Sequence, residues 1–288
     1  MYPAAFEYHA PGSVQEAIGL LGKLDDAKIL AGGHSLVPMM KLRLAQPKHL
    51  IDLRKVPGLT GIKEDGNTIA IGAMTTHWDV ESSKLLQTKC PVVSDTAKII
   101  GDPAVRNKGT IGGSLAHADP AADMPATVIA LGAEFVCQGA KNKRTVKVDD
   151  WFQGLMATAL GEDELLVEIR VPVLAAGTGS AYMKFAHPAS RFAIVGAAAV
   201  ITVDKQGTCT KAGVGITGAG TKAVRAKGVE AGLVGKRLDA ATIEAAAAKA
   251  ADGVDVQADL QGSVEYKSHL CRVFARRAVE AALKNAQK

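Results

Sequence analysis

Twice in this chain a Gly-Gly pair is followed at once by a small polar residue and an apolar run: "LAGGHSLVPMMKLRLA" around Gly32-Gly33 and "GTIGGSLAHADPAAD" around Gly112-Gly113. In the first, a strand-like run ends at Ala31, two glycines open backbone angles closed to other residues, and a helix starts at Ser35. The first amides of a helix have no partner in their own helix, so such a turn gathers N–H donors at the positive end of the helix dipole. Ala31, Gly32, Gly33, His34, Ser35 and Leu36 therefore form one candidate anion cradle, with His34 and Ser35 adding side-chain donors. Thr110, Ile111, Gly112, Gly113 and Ser114 form a second, with two hydroxyls. A single Gly-Gly turn is usually only a tight turn. Two of them, both carrying hydroxyls, point to a diphosphate or dinucleotide held from two sides.

The 288 residues are enough for two modest domains or one large one, each with a real core, and 48% apolar with 22% charged residues excludes a disordered tail. Net charge is +5, spread over single residues except for "KNKRTVK" (Lys141 to Lys147), which reads as a solvated hairpin turn; nucleic acid is not an expected partner. The opening "MYPAAFEYHAPGS" has no basic end leading into an apolar stretch, so no secretory signal is expected. The run Phe192 to Val203 is too short to span a bilayer, so no transmembrane segment is expected either. Cys90, Cys137, Cys209 and Cys271 are far apart and offer no C-x-x-C spacing for zinc or iron–sulfur clusters. Free thiols and a cytoplasmic location follow as expectations.

The pattern of elements is that of an α+β protein in three pieces. Residues 1–54 read as a small parallel βαβ subdomain, opening with a helix that Ser13 caps and Glu16 completes as a capping box. Residues 55–176 begin with a hairpin at Asp65-Gly66, continue with one helix through "HWDVESSKLLQTKCPVVSDTAKII", and add strands near 134–148 and 164–171 in an antiparallel subdomain. Residues 177–288 carry three antiparallel strands, at 181–186, 193–204 and 208–217, and then helices at 222–234, 239–251 and 263–286.

Three further features bear on chemistry. Asp119 precedes Pro120 and reads as the cap of a helix starting there, while Asp123 lies a turn on and can accept hydrogen bonds from sugar hydroxyls. With His117 they supply too few ligands for a metal, so no metal ligand is assigned. "GVGITGAG" from Gly213 fits G-x-G-x-x-G, but it follows the antiparallel turn Asp204 to Gly207 rather than opening a βαβ unit, so it is set aside as a nucleotide site. In the last helix, Leu270, Val273 and Phe274 form an apolar stripe with Arg272, Arg276 and Arg277 around it, either a solvated basic face or a docking face.

"AGGHSLVPMMKLRLAQPKHLIDL", "IGAMTTH", "IGDPAVRNKGTIGGSLAHADPAAD", "DELLVEIRVP" and "FAIVGAAAV", in this order, resemble the FAD-binding medium subunit of the molybdenum hydroxylases over essentially the whole chain. The wording "AGGHSL…MMKLRLA" is most similar to the subgroup from aerobic carbon monoxide dehydrogenases. The resemblance implies a PCMH-type FAD-binding fold in which Ala31 to Ser35 and Thr110 to Ser114 hold the FAD diphosphate. It also implies Asp123 near the ribityl or ribose hydroxyls, Leu166 against the isoalloxazine, and Ile100 and Lys184 at further FAD contacts. Two departures stand out. Ser114 replaces the usual Asn, and Arg191-Phe192 replaces an acid and an aromatic, so Phe192 can pack on the flavin without a phenol to hydrogen-bond.

The implied work is electron transfer, and no catalytic residue is assigned to this chain. In the family a large subunit carries molybdopterin with molybdenum, and copper in the carbon monoxide enzymes. A small subunit carries two [2Fe–2S] clusters, and the FAD subunit passes electrons to an acceptor such as a quinone. The implied assembly is a dimer of heterotrimers, reaching the inner face of the membrane through the complex. Other readings stay open: a medium subunit for an aldehyde, xanthine or heterocycle hydroxylase, a free-standing flavoprotein, or a non-enzymatic nucleotide or phosphate-ligand binding module.

Overall fold

The computed structural model describes residues 1–287. Its first layer is a three-stranded parallel sheet of order β1-β3-β2, from β1 (Glu7–His9), β2 (Ala27–Leu30) and β3 (His49–Asp52). Between the strands run α1 (Val14–Leu21) and α2 (Leu36–Lys41). The expected cap is in place: Ser13 Oγ accepts from the Glu16 amide at 3.1 Å and Glu16 Oε2 accepts from the Gly12 amide at 2.7 Å.

The second layer is a five-stranded antiparallel sheet, built from β4 (Ile62–Asp65), β5 (Thr68–Gly72), β6 (Glu134–Gln138), β7 (Lys143–Lys147) and β10 (Leu165–Pro172), in the order β4-β5-β10-β6-β7. A two-residue pairing of β8 (Phe152–Gly154) with β9 (Ala157–Thr158) lies beside it. The long helix expected at 77–100 is three short ones, α3 (His77–Ser82), α4 (Lys84–Lys89) and α5 (Pro91–Lys98). Ser83 leaves helical geometry and caps the next helix through the Leu86 amide, and Pro91 stands at the first position of the third. Then come α6 (Pro103–Arg106), α7 (Ile111–His117) and α8 (Met124–Leu131). Asp119 does not cap a helix at Pro120; its Oδ1 accepts from the Ala121 amide within a turn, and α8 begins only at Met124.

The third layer is an antiparallel sheet of β11 (Thr178–Ala186), β12 (Ala193–Val203), β13 (Cys209–Thr217) and a fourth, short strand β14 (Val224–Arg225). That strand replaces the first turns of the helix expected from 222, so α9 spans only Lys227–Leu233; α10 (Ala240–Ala247) and α11 (Val264–Ala286) follow. Leu270 and Phe274 of α11 are buried against its own sheet, and Arg277 lies over the Phe274 ring at 5.1 Å. The Leu270 and Phe274 part of the apolar stripe is therefore core, with Val273 partly buried against it. The four cysteines are buried and free, and burial pushes the Cys90 and Cys271 thiols up to about 12, so they carry no nucleophile.

The "GVGITGAG" glycines are explained by packing. A Cβ on Gly213 or Gly215 would run into the carbonyl oxygens of Ala130 and Ala126, so the two glycines let α8 lie directly on β13. Asp204 Oδ1 accepts from the Gln206 and Thr208 amides, closing the antiparallel turn ahead of them.

Candidate flavin cradle and its buried polar network

The first glycine turn follows β2 as expected. Gly33 takes φ +75°, a left-handed angle that suits glycine, and α2 starts at Leu36. Among the described residues, the amides of Gly32, Gly33, His34, Ser35 and Leu36 donate to no protein acceptor, and Ser35 makes no cap bond with its hydroxyl. His34 donates from Nδ1 to the Gly32 carbonyl at 3.0 Å, which closes the turn and leaves Nε2 free of it. This is a nest of free donors.

The second turn is built differently from the first. It follows α6 rather than a strand, and Gly112 and Gly113 lie inside the first turn of α7. Four of its five amides are already used: Ile111 donates to the Thr75 carbonyl, Gly112 to Ala73, Gly113 to Thr110 Oγ1 and Ser114 to the Thr110 carbonyl. What this turn offers is hydroxyl donors and close approach. Thr110 Oγ1 accepts the cap bond at 3.0 Å but keeps its own proton to donate, and Ser114 is half-buried.

Sequence order separates the two turns by about eighty residues, yet the fold presses them together. A Cβ on Gly32 would overlap the Lys108 carbonyl and stand 2.7 Å from the Gly109 Cα. One on Gly113 would stand 2.7 Å from Thr110 Oγ1 and 3.5 Å from the Ala31 Cβ, and one on Gly112 would stand 2.5 Å from the Ala73 Cβ. Side chains at Gly32 and Gly112 would force the packed backbones apart. The free amides of residues 32–36, the hydroxyls of Ser35, Thr110 and Ser114, and the close approach of the two turns fit a dinucleotide diphosphate.

A second group of the singled-out residues meets at Asp123. This carboxylate is buried; Oδ1 accepts from Tyr182 Oη at 2.6 Å and Oδ2 from Lys184 Nζ at 3.0 Å. Lys184 also donates to the carbonyls of Ile99 at 2.9 Å and Arg191 at 2.7 Å, tying in the segments of Ile100 and Phe192. Burial raises the Asp123 pKa, with Lys184 and Tyr182 pulling the other way, and burial also raises Tyr182. Leu166 is buried at a bulge of β10 where pairing with β6 shifts register before Glu168. Phe192 is 45% exposed and follows Arg191, whose φ is +60°.

Sequence reasoning missed Tyr182 and His77. The signal for Tyr182 was present: Ser180, Tyr182 and Lys184 alternate along β11 and share a face. His77 is buried behind the second turn, its amide donating to the Gly109 carbonyl at 2.9 Å and its Nδ1 without a hydrogen-bond partner among the described residues. Burial, with Arg106 and His34 adding positive charge, lowers its pKa to about 4, so the ring stays neutral at physiological pH.

Residues 4–174 match the family described as the FAD binding domain in molybdopterin dehydrogenase, and residues 180–282 match the carbon monoxide dehydrogenase flavoprotein C-terminal domain. The carbon monoxide dehydrogenase medium chain of Hydrogenophaga pseudoflava is 46% identical over 98% of both chains. The 6-hydroxypseudooxynicotine dehydrogenase complex subunit alpha of Paenarthrobacter nicotinovorans is 38% identical over 100% of this chain and 97% of its own. A crystal structure of Cu,Mo-CO dehydrogenase superposes with a TM-score of 0.96 at 41% identity, covering 99% of this chain and 100% of that one. No helix among the described residues is long and apolar enough to cross a membrane. Two matched domains, whole-length relatives and a whole-length superposition point the same way: this chain belongs to the FAD-binding medium subunits of the carbon monoxide dehydrogenase type of molybdenum hydroxylase.

Proposed function

We propose that this chain holds FAD in the seam between its two glycine turns and hands electrons from [2Fe–2S] clusters of a small partner subunit to an external acceptor such as a quinone. The observation that carries the reading is the contact of Gly32 with the Lys108–Gly109 backbone, which makes one cradle from two distant segments. The flavin supplies the redox chemistry when bound. The chain's own residues bind and orient it. Free amides from Gly32 to Leu36 take the diphosphate charge, with Ser35, Thr110 and Ser114 as hydroxyl donors. Asp123 has lone pairs left beyond those used by Tyr182 and Lys184, enough to accept from a ribityl hydroxyl. Leu166 and Phe192 would pack against the ring, with Ile100 and Lys184 at further FAD contacts.

The large partner, with molybdopterin, molybdenum and copper, would oxidise carbon monoxide with water to carbon dioxide, two electrons and two protons, in a dimer of heterotrimers placed in the cytoplasm against the inner membrane face. The higher identity to the carbon monoxide dehydrogenase chain supports that substrate, and the 38% identity to the 6-hydroxypseudooxynicotine dehydrogenase subunit keeps a heterocycle hydroxylase as the second reading. Boundaries at 54/55 and 176/177 are proposed for its three parts. Co-expression with the neighbouring large and small subunits, gel filtration and a visible spectrum test the reading. About one flavin per chain in a larger complex is the expected result. A complex without flavin, or no complex at all, would overturn it.

A further inference from the structure

A second set of side chains converges on one face of the parallel sheet, across β1 and β3. In β1, Tyr8 faces one side and bonds Asp52 Oδ2 at 2.7 Å, which leaves Glu7 and His9 on the opposite face. The parallel register sets Glu7 against His49 and His49 against Ala27, the first residue of β2, whereas Gly32 lies beyond the last. His9 Nε2 and His49 Nδ1 stand 3.2 Å apart, with the rings tilted by 48°. A Glu7 carboxylate oxygen lies 3.4 Å from that His49 nitrogen and 4.0 Å from that of His9.

Two imidazole nitrogens and a carboxylate oxygen are a familiar ligand set for zinc. Around a tetrahedral ion with bonds of roughly 2.0–2.1 Å, ligand atoms sit about 3.3–3.4 Å apart, and two of the three separations already match. The third closes by rotation of Glu7, whose side chain is 73% exposed, while both rings are held half-buried. Lys48, next to His49, is tied to Asp25 at 2.7 Å. Mixed nitrogen and oxygen donors suit a zinc-class ion, whereas calcium and magnesium take oxygen ligands.

We propose that His9 Nε2, His49 Nδ1 and a Glu7 carboxylate oxygen bind one zinc-class divalent ion, with water in the fourth position, and that the ion clamps edge strand β1 to β3. Without the ion, one imidazole simply donates a hydrogen bond to the other. The proposal does not depend on flavin binding. The full chain, stripped with a chelator, would be titrated with Zn2+ by equilibrium dialysis with elemental analysis, and with Co2+ by visible absorption. One ion per chain, tetrahedral Co2+ bands and a higher melting temperature with Zn2+ are expected. All three should be lost in His9→Ala and His49→Ala, whose flavin content stays at the wild-type level. Should either variant fail to fold, Glu7→Gln, at an exposed position, should still bind the ion more weakly than wild type. No stoichiometric binding by wild type, or binding by Glu7→Gln and the folded histidine variants equal to wild type, overturns the proposal.

Discussion

Gly32 lies so close to the Lys108 carbonyl that no side chain fits between them, although 76 positions separate the two residues. The seam depends on that contact. Gly32→Ala should push the two turns apart, lower stability by about 1–3 kcal/mol as overpacking does, and remove most of the flavin. Visible absorbance per chain together with a thermal melt checks this, and full flavin content in a folded variant would contradict the cradle.

Lys184 is the buried cation facing buried Asp123. Removing one member of such a pair leaves the other uncompensated, so Lys184→Met should destabilise by about 3–5 kcal/mol. The double variant Asp123→Asn, Lys184→Met should recover part of that loss. A double-mutant cycle by denaturant unfolding measures the coupling, and simple additivity would show that the two groups act independently.

His77 is buried with its pKa lowered from 6.5 to about 4. Between those values the unfolded chain binds a proton that the folded chain refuses, so its contribution is fully present above pH 6.5 and is lost as pH falls towards 4. The loss is about 3 kcal/mol at one pKa unit per 1.36 kcal/mol. His77→Gln should flatten the stability profile across that window. Parallel profiles for wild type and variant would rule out His77 as the responsible group.

Gly215 gives α8 access to β13. Gly215→Ala should lower stability by about 1–3 kcal/mol by pressing on the Ala126 carbonyl, with flavin retained. Loss of flavin at unchanged stability would instead make "GVGITGAG" a nucleotide site.

Much of this protein was legible before folding was considered. Ser13 and Glu16 announced the first helix, Asp204 to Gly207 the antiparallel turn, and Gly32-Gly33 the turn between β2 and α2, because caps, turns and glycine preferences act over a few residues. The three-way split of the helix at Ser83 and Pro91 was written in the same local code, but the apolar pattern hid it.

The sequence by itself determined the local devices: where strands end, where helices start, which residues can donate. Only the tertiary structure decided which donors stay free. Gly112 and Gly113 carry the same signature as Gly32 and Gly33, yet the Ala73 and Thr75 carbonyls, brought in by the strand-to-helix segment before His77, take the Ile111 and Gly112 amides. The same holds for Tyr182 and Lys184, which meet Asp123 across about sixty positions, and for His9 and His49, forty apart. Such pairings depend on sheet register and layer packing, long-range consequences of burying apolar surface that no short stretch of sequence encodes.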